Sequence, residues 1–264
     1  MALKLQLVGE CGRIMEPRLR WLAAAAVAVA ALSALVLVAS AVGARVGLWT
    51  PRAAIGALRW CALLAMLGAA LSAIALVLAR LGGGEGGRDG GWAMKPGVLA
   101  GALLVCLAVF SVPWLTMQRA RSVPFIHDIT TDTADPPAFV AVLPLRAGAP
   151  NSAAYGGPEV AAAQARGYPD IAPRYLAAPP DQAFEQALAA ARAMGWTIVA
   201  AEPAAGRIEA TATTRWLGFR DDVVVRIRPD ASGSRIDVRS CSRVGMSDLG
   251  TNARRIREYL RLLH

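Results

Sequence analysis

Three long runs of apolar residues occupy the first 116 positions of the chain. They cover residues 21–44, 60–79 and 97–116, and none of them contains a charged side chain. Because a helix rises about 1.5 Å per residue, about 20 apolar residues cross the hydrocarbon core of a bilayer. Lipid offers no hydrogen bonds to the backbone, so such runs cross it as helices. The pattern predicts three transmembrane helices, preceded by a cytoplasmic tail over residues 1–20.

The last third of the chain carries shorter periodic patterns. A helical period begins near Asp181, the predicted N-cap, and ends at Gly195. A second helical pattern covers residues 249–263 and closes the chain. Between the two helices, alternation of apolar and polar residues predicts strands at 196–202, 207–214, 222–229 and 235–242.

This order of elements predicts the fold class of the last third. Alternation with a period of two indicates strands with one buried face and one solvent face. Short connections between successive strands favour antiparallel pairing. Residues 181–264 are therefore expected to form a soluble α+β domain with an antiparallel sheet of about four strands and helices packed on one face.

The region between these two parts, residues 117–180, shows neither period. Twelve of the 16 prolines lie between Pro113 and Pro203, and proline removes a backbone donor and restricts the residue before it. We predict an extended proline-rich arm with one short strand at 138–143. The whole chain is thus predicted to be a membrane-anchored α+β protein.

Composition supports a membrane protein. Hydrophobic residues make up 55 % of the chain and charged residues 18 %, whereas a soluble domain carries about 25 % charge. Four cysteines and two histidines exclude a disulfide scaffold and argue against a zinc site with several ligands. No strand precedes the glycine-rich linker at 81–91, so it lacks the context of a phosphate-binding loop. We therefore predict no cofactor and no metal.

Charge indicates both the partner and the orientation. The net charge is +9, and the basic excess flanks the apolar runs. This pattern favours a lipid bilayer as partner and does not suggest nucleic acid. Seven basic residues on the side of the N-terminus face five on the other side, which favours a cytoplasmic N-terminus and a periplasmic C-terminal domain. A start at Met15 would equalise these counts, and a cleaved signal peptide is the alternative for the first run.

The abundance of arginine and alanine suggests a bacterial source, because only two of the 28 basic residues are lysines. The expected location is accordingly the inner, cytoplasmic membrane of a bacterium. Another envelope or membrane protein is a further expected partner.

A polar stretch after the third run contains the first candidate site residues, His127, Asp128, Thr131 and Asp132. A histidine beside a carboxylate suggests a general acid–base pair, and the carboxylates suggest a metal loop with oxygen ligands. A metallohydrolase needs further histidines, and the other histidine is the terminal His264. The alternative interpretation is a turn whose side chains bond to the nearby backbone.

A second polar group lies where the last strand leads into the last helix. Arginines beside a helix N-terminus bind phosphate, a lipid headgroup or a carboxylate. The alternative is structural, with the acid at the junction capping the helix and the arginines pairing with carboxylates. Opposite charge predicts that this group meets the first one in space. Its members are Arg239, Arg243, Asp248, Asn252 and Arg255.

Four strings together carry a resemblance to a known family. They are FIHDITTDTADPPAF (125–139), YPDIAP (168–173), GFRDDVVVRI (218–227) and RIDVRSCSRVGMSDLGTNARRIREYL (235–260). Over about residues 120–264 the chain resembles the domain of unknown function 1499 family. The resemblance implies a membrane or exported location, and it implies no activity, substrate or cofactor.

Three functional hypotheses follow from these patterns. The first is an integral membrane protein with an extracytoplasmic, non-catalytic binding or assembly module. The second is an envelope hydrolase or lipid-modifying enzyme that uses His127, Asp128 and the arginine cluster. The third is a purely structural inner-membrane protein. A deep polar pocket that joins His127 to Arg243 would favour the enzyme.

Overall fold

The computed structural model describes residues 2–81 and 95–263. It divides into a helical unit that ends at Thr116 and a second compact unit that begins at Met117. From residue 82 onward, the predicted glycine-rich linker lies outside the described residues, as does His264.

In the described part of the first unit the chain forms three long helices, as predicted. They are α1 (Ala2–Arg45), α2 (Pro51–Leu81) and α3 (Pro96–Ser122). Each contains a stretch of 27 to 30 residues that is long and apolar enough to cross a membrane. Helix α1 begins at Ala2, so residues 2–20, which were expected to form a tail, are the first part of this helix.

Small residues lie where these helices pack against one another. Ala30, Ala65 and Cys106 are almost completely buried. A Cβ atom on Gly68 would lie 2.7 Å from the Sγ atom of Cys106. Larger apolar side chains such as Leu104 are exposed on the outside of the helices. The helices approach closely because alanine and glycine leave room between their backbones.

Up to residue 263, where the described part of the chain ends, the second unit contains six strands and three α-helices. The strands are β1 (Asp128–Thr130), β2 (Arg174–Leu176), β3 (Thr197–Glu202), β4 (Arg207–Thr213), β5 (Arg220–Asp230) and β6 (Gly233–Ser242). The helices are α4 (Pro158–Gly167), α5 (Pro180–Ala193) and α6 (Thr251–Leu260). One turn of 3-10 helix, Leu143–Arg146, lies between β1 and α4.

All strand pairs are antiparallel, and the order across the sheet is β1-β6-β5-β4-β3. Strand β2 pairs with the first residues of β6, while β1 pairs with its last residues. The prediction of about four strands is therefore too low. Strands β1 and β2 have three residues each, which is too short for a periodic signal, and they come from the proline-rich region.

Two local predictions in the proline-rich region and beside it are wrong. Residues 138–143 form no strand, because the N–H groups of Val140, Ala141 and Val142 donate to a carboxylate and Pro144 has no N–H group. Helix α5 begins at Pro180, so Asp181 lies in its first turn and does not act as N-cap. Proline suits the first helical position, where the missing N–H group would have no partner within the helix.

The main core lies between the sheet and helices α5 and α6. Ile227 and Val238 are buried against them, as predicted for the apolar strand positions. The ring of Trp196 stacks on that of Tyr259 at a centroid distance of 4.9 Å, and the Tyr259 hydroxyl donates to the Ala187 carbonyl oxygen at 2.8 Å.

The predicted solvent face of the sheet is also covered. Val224 and Cys241 lie on the face opposite to the main core, and they are buried together with Phe139 and Val142. Residues 131–156, here called the covering segment, lie over this face. The proline-rich region is thus a layer of the domain.

Candidate functional site

The sheet face beneath the covering segment carries charges of both signs. Alternate residues of a strand point to the same face, and the register sets Arg226 opposite Asp237 and Val224 opposite Arg239. We call this surface the charged face. Its members are Asp128 on β1, Arg207 and Glu209 on β4, Asp222, Arg226 and Arg228 on β5, Arg235, Asp237 and Arg239 on β6, and Arg243 just after β6.

Glu209 holds the covering segment through its backbone. Its carboxylate is completely buried and accepts hydrogen bonds from the N–H groups of Val140, Ala141 and Val142 at 2.9 to 3.1 Å. Arg207 lies 3.1 Å from the same carboxylate. These three N–H groups lie at the start of the turn of 3-10 helix. Donors at the start of a helix have no partner within it, and here the Glu209 carboxylate accepts from them.

Arg146 binds the covering segment from the other direction. Its guanidinium group donates to the Asp222 carboxylate at 2.7 Å. It also donates to the carbonyl oxygens of Asn151 and Ser152 at 3.1 and 3.3 Å, and to that of Cys241 at 3.3 Å. One buried cation therefore joins two parts of the segment to two strands of the sheet.

Asp128 and Arg239 form a bidentate ion pair across β1 and β6. The two carboxylate oxygens accept from Nε at 2.9 Å and from a terminal guanidinium nitrogen at 2.7 Å, and both side chains are at most 5 % exposed. Arg239 also donates to the carbonyl oxygens of Pro137 and Ala153 at 3.1 and 2.8 Å. Its guanidinium group lies over the rings of Phe139 and Tyr155, with the central carbon 4.8 and 5.5 Å from the ring centroids.

Asp132 binds at the opposite end of the charged face from Arg243. It lies 2.6 Å from Arg235 and 3.3 Å from Arg226. Burial acts to raise the pKa of Asp132, but backbone N–H groups and these two arginines outweigh it and lower the pKa. The expectation that the two polar groups meet in space therefore holds for Asp128, which pairs with Arg239 at 2.7 Å. It is wrong for Asp132, which pairs with Arg235 and Arg226, while Arg243 pairs with Asp222 at 2.7 Å.

The remaining candidate residues form a separate polar cluster on the helix side of the sheet. Arg255 reaches the Asp221 carboxylate at 2.6 Å and the Ser240 hydroxyl at 2.9 Å. Asn252 donates to the carbonyl oxygen of His127 at 2.9 Å and also contacts Arg255. Ser240 is therefore buried and hydrogen-bonded.

Asp248 caps helix α6 from two positions before the N-cap residue Gly250. Its two carboxylate oxygens accept from the N–H groups of Gly250 and Asn252 at 3.0 and 2.6 Å. Burial raises the pKa of Asp248 above its ordinary value, although the two N–H donors act to lower it. This geometry matches the structural interpretation of the junction.

Thr131 and His127 contribute mainly to strand pairing. The Thr131 hydroxyl accepts from the N–H group of Val238 at 2.9 Å, and the His127 carbonyl oxygen accepts from that of Ser242 at 3.0 Å.

Burial raises the pKa of the nearby Cys241 thiol to about 12. A thiol in this state is a weak nucleophile.

Several charged residues of this network are absent from the sequence-based candidates, notably Arg146, Glu209 and Asp237. The alternation along β5 and β6 predicts that their polar side faces solvent, and this expectation is wrong. One signal was available: the polar positions carry both signs of charge, and a long proline-rich stretch precedes them. Such a stretch needs partners for its backbone when it is buried.

A cavity of about 320 Å³ opens beside the Asp128–Arg239 pair. Most of its lining is apolar, and neither His127 nor Arg243 belongs to it. The lining residues are Pro136, Ala138, Phe139, Leu143, Ala153, Ala154, Tyr155 and Arg239. Among residues 2–81 and 95–263, no group of three or more His, Cys, Asp or Glu side chains is arranged to hold a metal ion.

Fold and site together define an antiparallel α+β domain that follows three helices of membrane-spanning length and has a charged internal layer. The model of the family described as "Protein of unknown function (DUF1499)" matches residues 128–263. The chain belongs to this family. The family resemblance inferred from the four sequence strings is therefore confirmed. A search of curated proteins finds no match.

Removal of either partner of the Asp128–Arg239 pair leaves a buried charge alone. We expect Asp128→Ala and Arg239→Ala each to lower the unfolding free energy of the second unit by about 3–5 kcal/mol. The double variant should lose less than the sum of both. Hydrogen exchange of β6 amides in the full chain, solubilised in detergent, measures these values.

The matched control is the pair Asp170–Arg257, which is also bidentate, with both contacts at 2.6 Å, but is partly exposed. An exposed pair contributes about 0–1 kcal/mol, so Asp170→Ala and Arg257→Ala should change little. Equal losses for the two pairs, or additive losses at Asp128 and Arg239, would contradict the role assigned to burial.

The effects of Asp222→Asn and Asp248→Asn should depend on pH with opposite slopes. Burial acts to raise the pKa of Asp222, but bonds from Arg243, Thr211 and Arg146 lower it below the ordinary value of 3.8. Its stabilisation is therefore complete above that value and is lost as the pH falls through the folded-state pKa. The cost of Asp222→Asn should shrink in acid.

Asp248 has a raised pKa, so its stabilisation is present below the ordinary value of 3.8 and is lost as the pH rises through the folded-state pKa. Relative to the unsubstituted chain, the Asp248→Asn variant should therefore become more stable as the pH rises. Thermal unfolding of the full chain in detergent between about pH 3 and about pH 7 tests both slopes. Parallel slopes would show that at least one carboxylate is in a different environment.

Proposed function

We propose that this chain is an integral protein of the bacterial inner membrane whose residues 117–264 form an extracytoplasmic, non-catalytic binding or assembly module. The three apolar helices support the membrane part, since each is long enough to cross a bilayer. The bias of seven basic residues to five supports a cytoplasmic N-terminus. An odd number of spans then leaves the second unit on the other side.

The observation that carries the binding role is an apolar surface on the outside of the covering segment. Val140, Leu143 and Leu145 are 47, 46 and 51 % exposed. Leu143 also lines the 320 Å³ cavity beside Arg239. Exposed apolar side chains on one short segment, one of them lining a cavity, are typical of interaction sites.

The charged face prepares this surface for binding. Glu209 fixes the backbone of Val140 to Val142, and Arg146 fixes the end of the same turn. A partner that binds there does not have to order the segment, so less conformational entropy is lost on association. We infer that the expected partner, another envelope or membrane protein, offers an apolar segment to this surface.

The same contacts disfavour the enzyme hypothesis. A general acid or base must reach the proton that it transfers, but Asp128 is occupied by Arg239, and Asp222 occupies Arg243. His127 adjoins the helix-side cluster, whereas Arg243 lies on the charged face. A purely structural role would not need the exposed leucines of the covering segment.

The binding role is tested with a photo-cross-linking amino acid at position 145 of the full chain in living cells. We expect a discrete adduct with one protein, because the apolar surface selects its partner by shape and hydrophobicity. The substitution Leu143→Glu should reduce this adduct several-fold while the thermal unfolding temperature stays unchanged. The control position is Leu262, which is 42 % exposed after α6. Similar adducts at both positions, or an adduct insensitive to Leu143→Glu, would refute the role.

The topology is tested with two reporters fused after His264. Alkaline phosphatase folds only outside the cytoplasm and should be active, while a fluorescent protein that matures only inside the cytoplasm should be dark. The reverse result would place the second unit in the cytoplasm. The bias of basic residues toward one side of the spans would then not indicate the membrane orientation of this chain.

A further inference from the structure

Three loops meet at one end of the sheet in the second unit. Strand β1 begins there, β4 ends, β5 begins and β6 ends, since Asp128 pairs with Cys241 and Asp221 pairs with Ser242. Backbone hydrogen bonds join the loops, from Arg243 to Arg220 at 3.1 Å and from Asp248 to Ile126 at 3.2 Å. We call residues 123–127, 214–220 and 243–250 the loop rim.

Each of these loops exposes one large apolar side chain. Phe125 is 68 % exposed, Trp216 80 % and Met246 70 %. They are the three most exposed large hydrophobic residues in the described part of the second unit. Such side chains are unfavourable in water, and tryptophan is enriched where protein meets the lipid headgroups.

Positive charge surrounds these apolar side chains. Arg215 and Arg220 are exposed on the loop that carries Trp216, and Arg119 and Arg121 are exposed in the last turn of α3. The carboxylates of this end are bound internally. Asp221 pairs with Arg255, Asp222 pairs with Arg243 and Arg146, and Asp248 caps α6. The outward charge of the loop rim is therefore basic and suits anionic phosphate groups.

The chain itself keeps the loop rim near the end of α3. This helix ends at Ser122 and β1 begins at Asp128. An extended chain advances at most about 3.6 Å per residue, so the link can span about 20 Å. The opposite end of the sheet differs, since its β5–β6 turn exposes Asp230, Ala231 and Ser232.

We propose that the loop rim docks on the surface of the membrane that the three helices cross. Phe125, Trp216 and Met246 enter the headgroup region, and Arg215 and Arg220 bind lipid phosphates. Lipid is favoured as the occupant because aromatic and basic side chains occur together beside the end of a helix of membrane-spanning length. The proposal rests on the membrane part of the proposed function and is independent of the covering segment.

The test places a photo-cross-linking amino acid at position 216 of the full chain, reconstituted in lipid vesicles. Mass spectrometry of the digested protein then detects lipid attached to the labelled peptide. The matched control is Tyr175, an aromatic residue of β2 that is 52 % exposed and pairs with Arg235 toward the other end of β6. Position 35 on α1, whose leucine is 63 % exposed, reports membrane insertion.

We expect lipid adducts at positions 35 and 216, with the yield at 216 several-fold above that at 175. Two vesicle types are compared, phosphatidylcholine alone and a mixture with about one third phosphatidylglycerol. The substitutions Arg215→Gln and Arg220→Gln together should lower the yield at 216 several-fold in the anionic vesicles and only slightly in the neutral ones.

The three positions separate the two proposals. Adducts at 35 without an excess at 216 over 175 would overturn docking and leave the membrane spans intact. No adduct at 35 would overturn the membrane spans and docking together. A protein adduct at 216 in place of lipid would overturn the lipid surface in favour of a second copy of the chain.

Discussion

A buried segment without regular structure must find partners for its backbone N–H and C=O groups, and here charged side chains of the sheet provide them. The Glu209 carboxylate accepts hydrogen bonds from three N–H groups of the covering segment. Arg146 and Arg239 donate hydrogen bonds to its carbonyl oxygens. Apolar residues often replace a buried ion pair without loss of stability. At these positions they would leave backbone groups unpaired, so the charges cannot be exchanged for a larger apolar core.

The same constraint explains why chemically suggestive residues form no shared site. Asp128 and Arg243 belong to the charged face, and Asp132 binds to that face from the covering segment. Asp248, Asn252 and Arg255 lie on the helix side. Each is committed to an ion pair, a cap or a backbone contact. The apolar surfaces that remain exposed, on the covering segment and on the loop rim, rest on this internal network.

Sequence patterns predicted most of the periodic structure, because periodicity reports which side of a helix or strand faces an apolar environment. Strands β3 to β6 were foreseen close to their observed bounds, and the three long helices were foreseen as elements. Helices α1 and α2 begin well before the apolar runs, at Ala2 and Pro51. Strands β1 and β2 were missed because three residues carry no period, and they exist only as partners of β6. The charged face was taken for a wet surface because alternation cannot distinguish water from a polar layer of the same chain. Arg239 and Asp128 were among the candidates, but Glu209 and Arg146 pair across 67 residues or more and left no local signal.

The position of β6 has a consequence for how this chain matures during synthesis. Both β1 and β2 pair with β6, and Asp128 finds its ion-pair partner 111 residues later in the sequence. The ribosome adds about 5–20 residues per second, so the third helix and the proline-rich region emerge several seconds before the strand that completes them. During that interval the unpaired carboxylates and the backbone of the covering segment stay hydrated. The order of synthesis thus makes the emergence of β6 the step that commits this domain to its folded form. It also identifies the nascent proline-rich region as the part most accessible to chaperones and proteases.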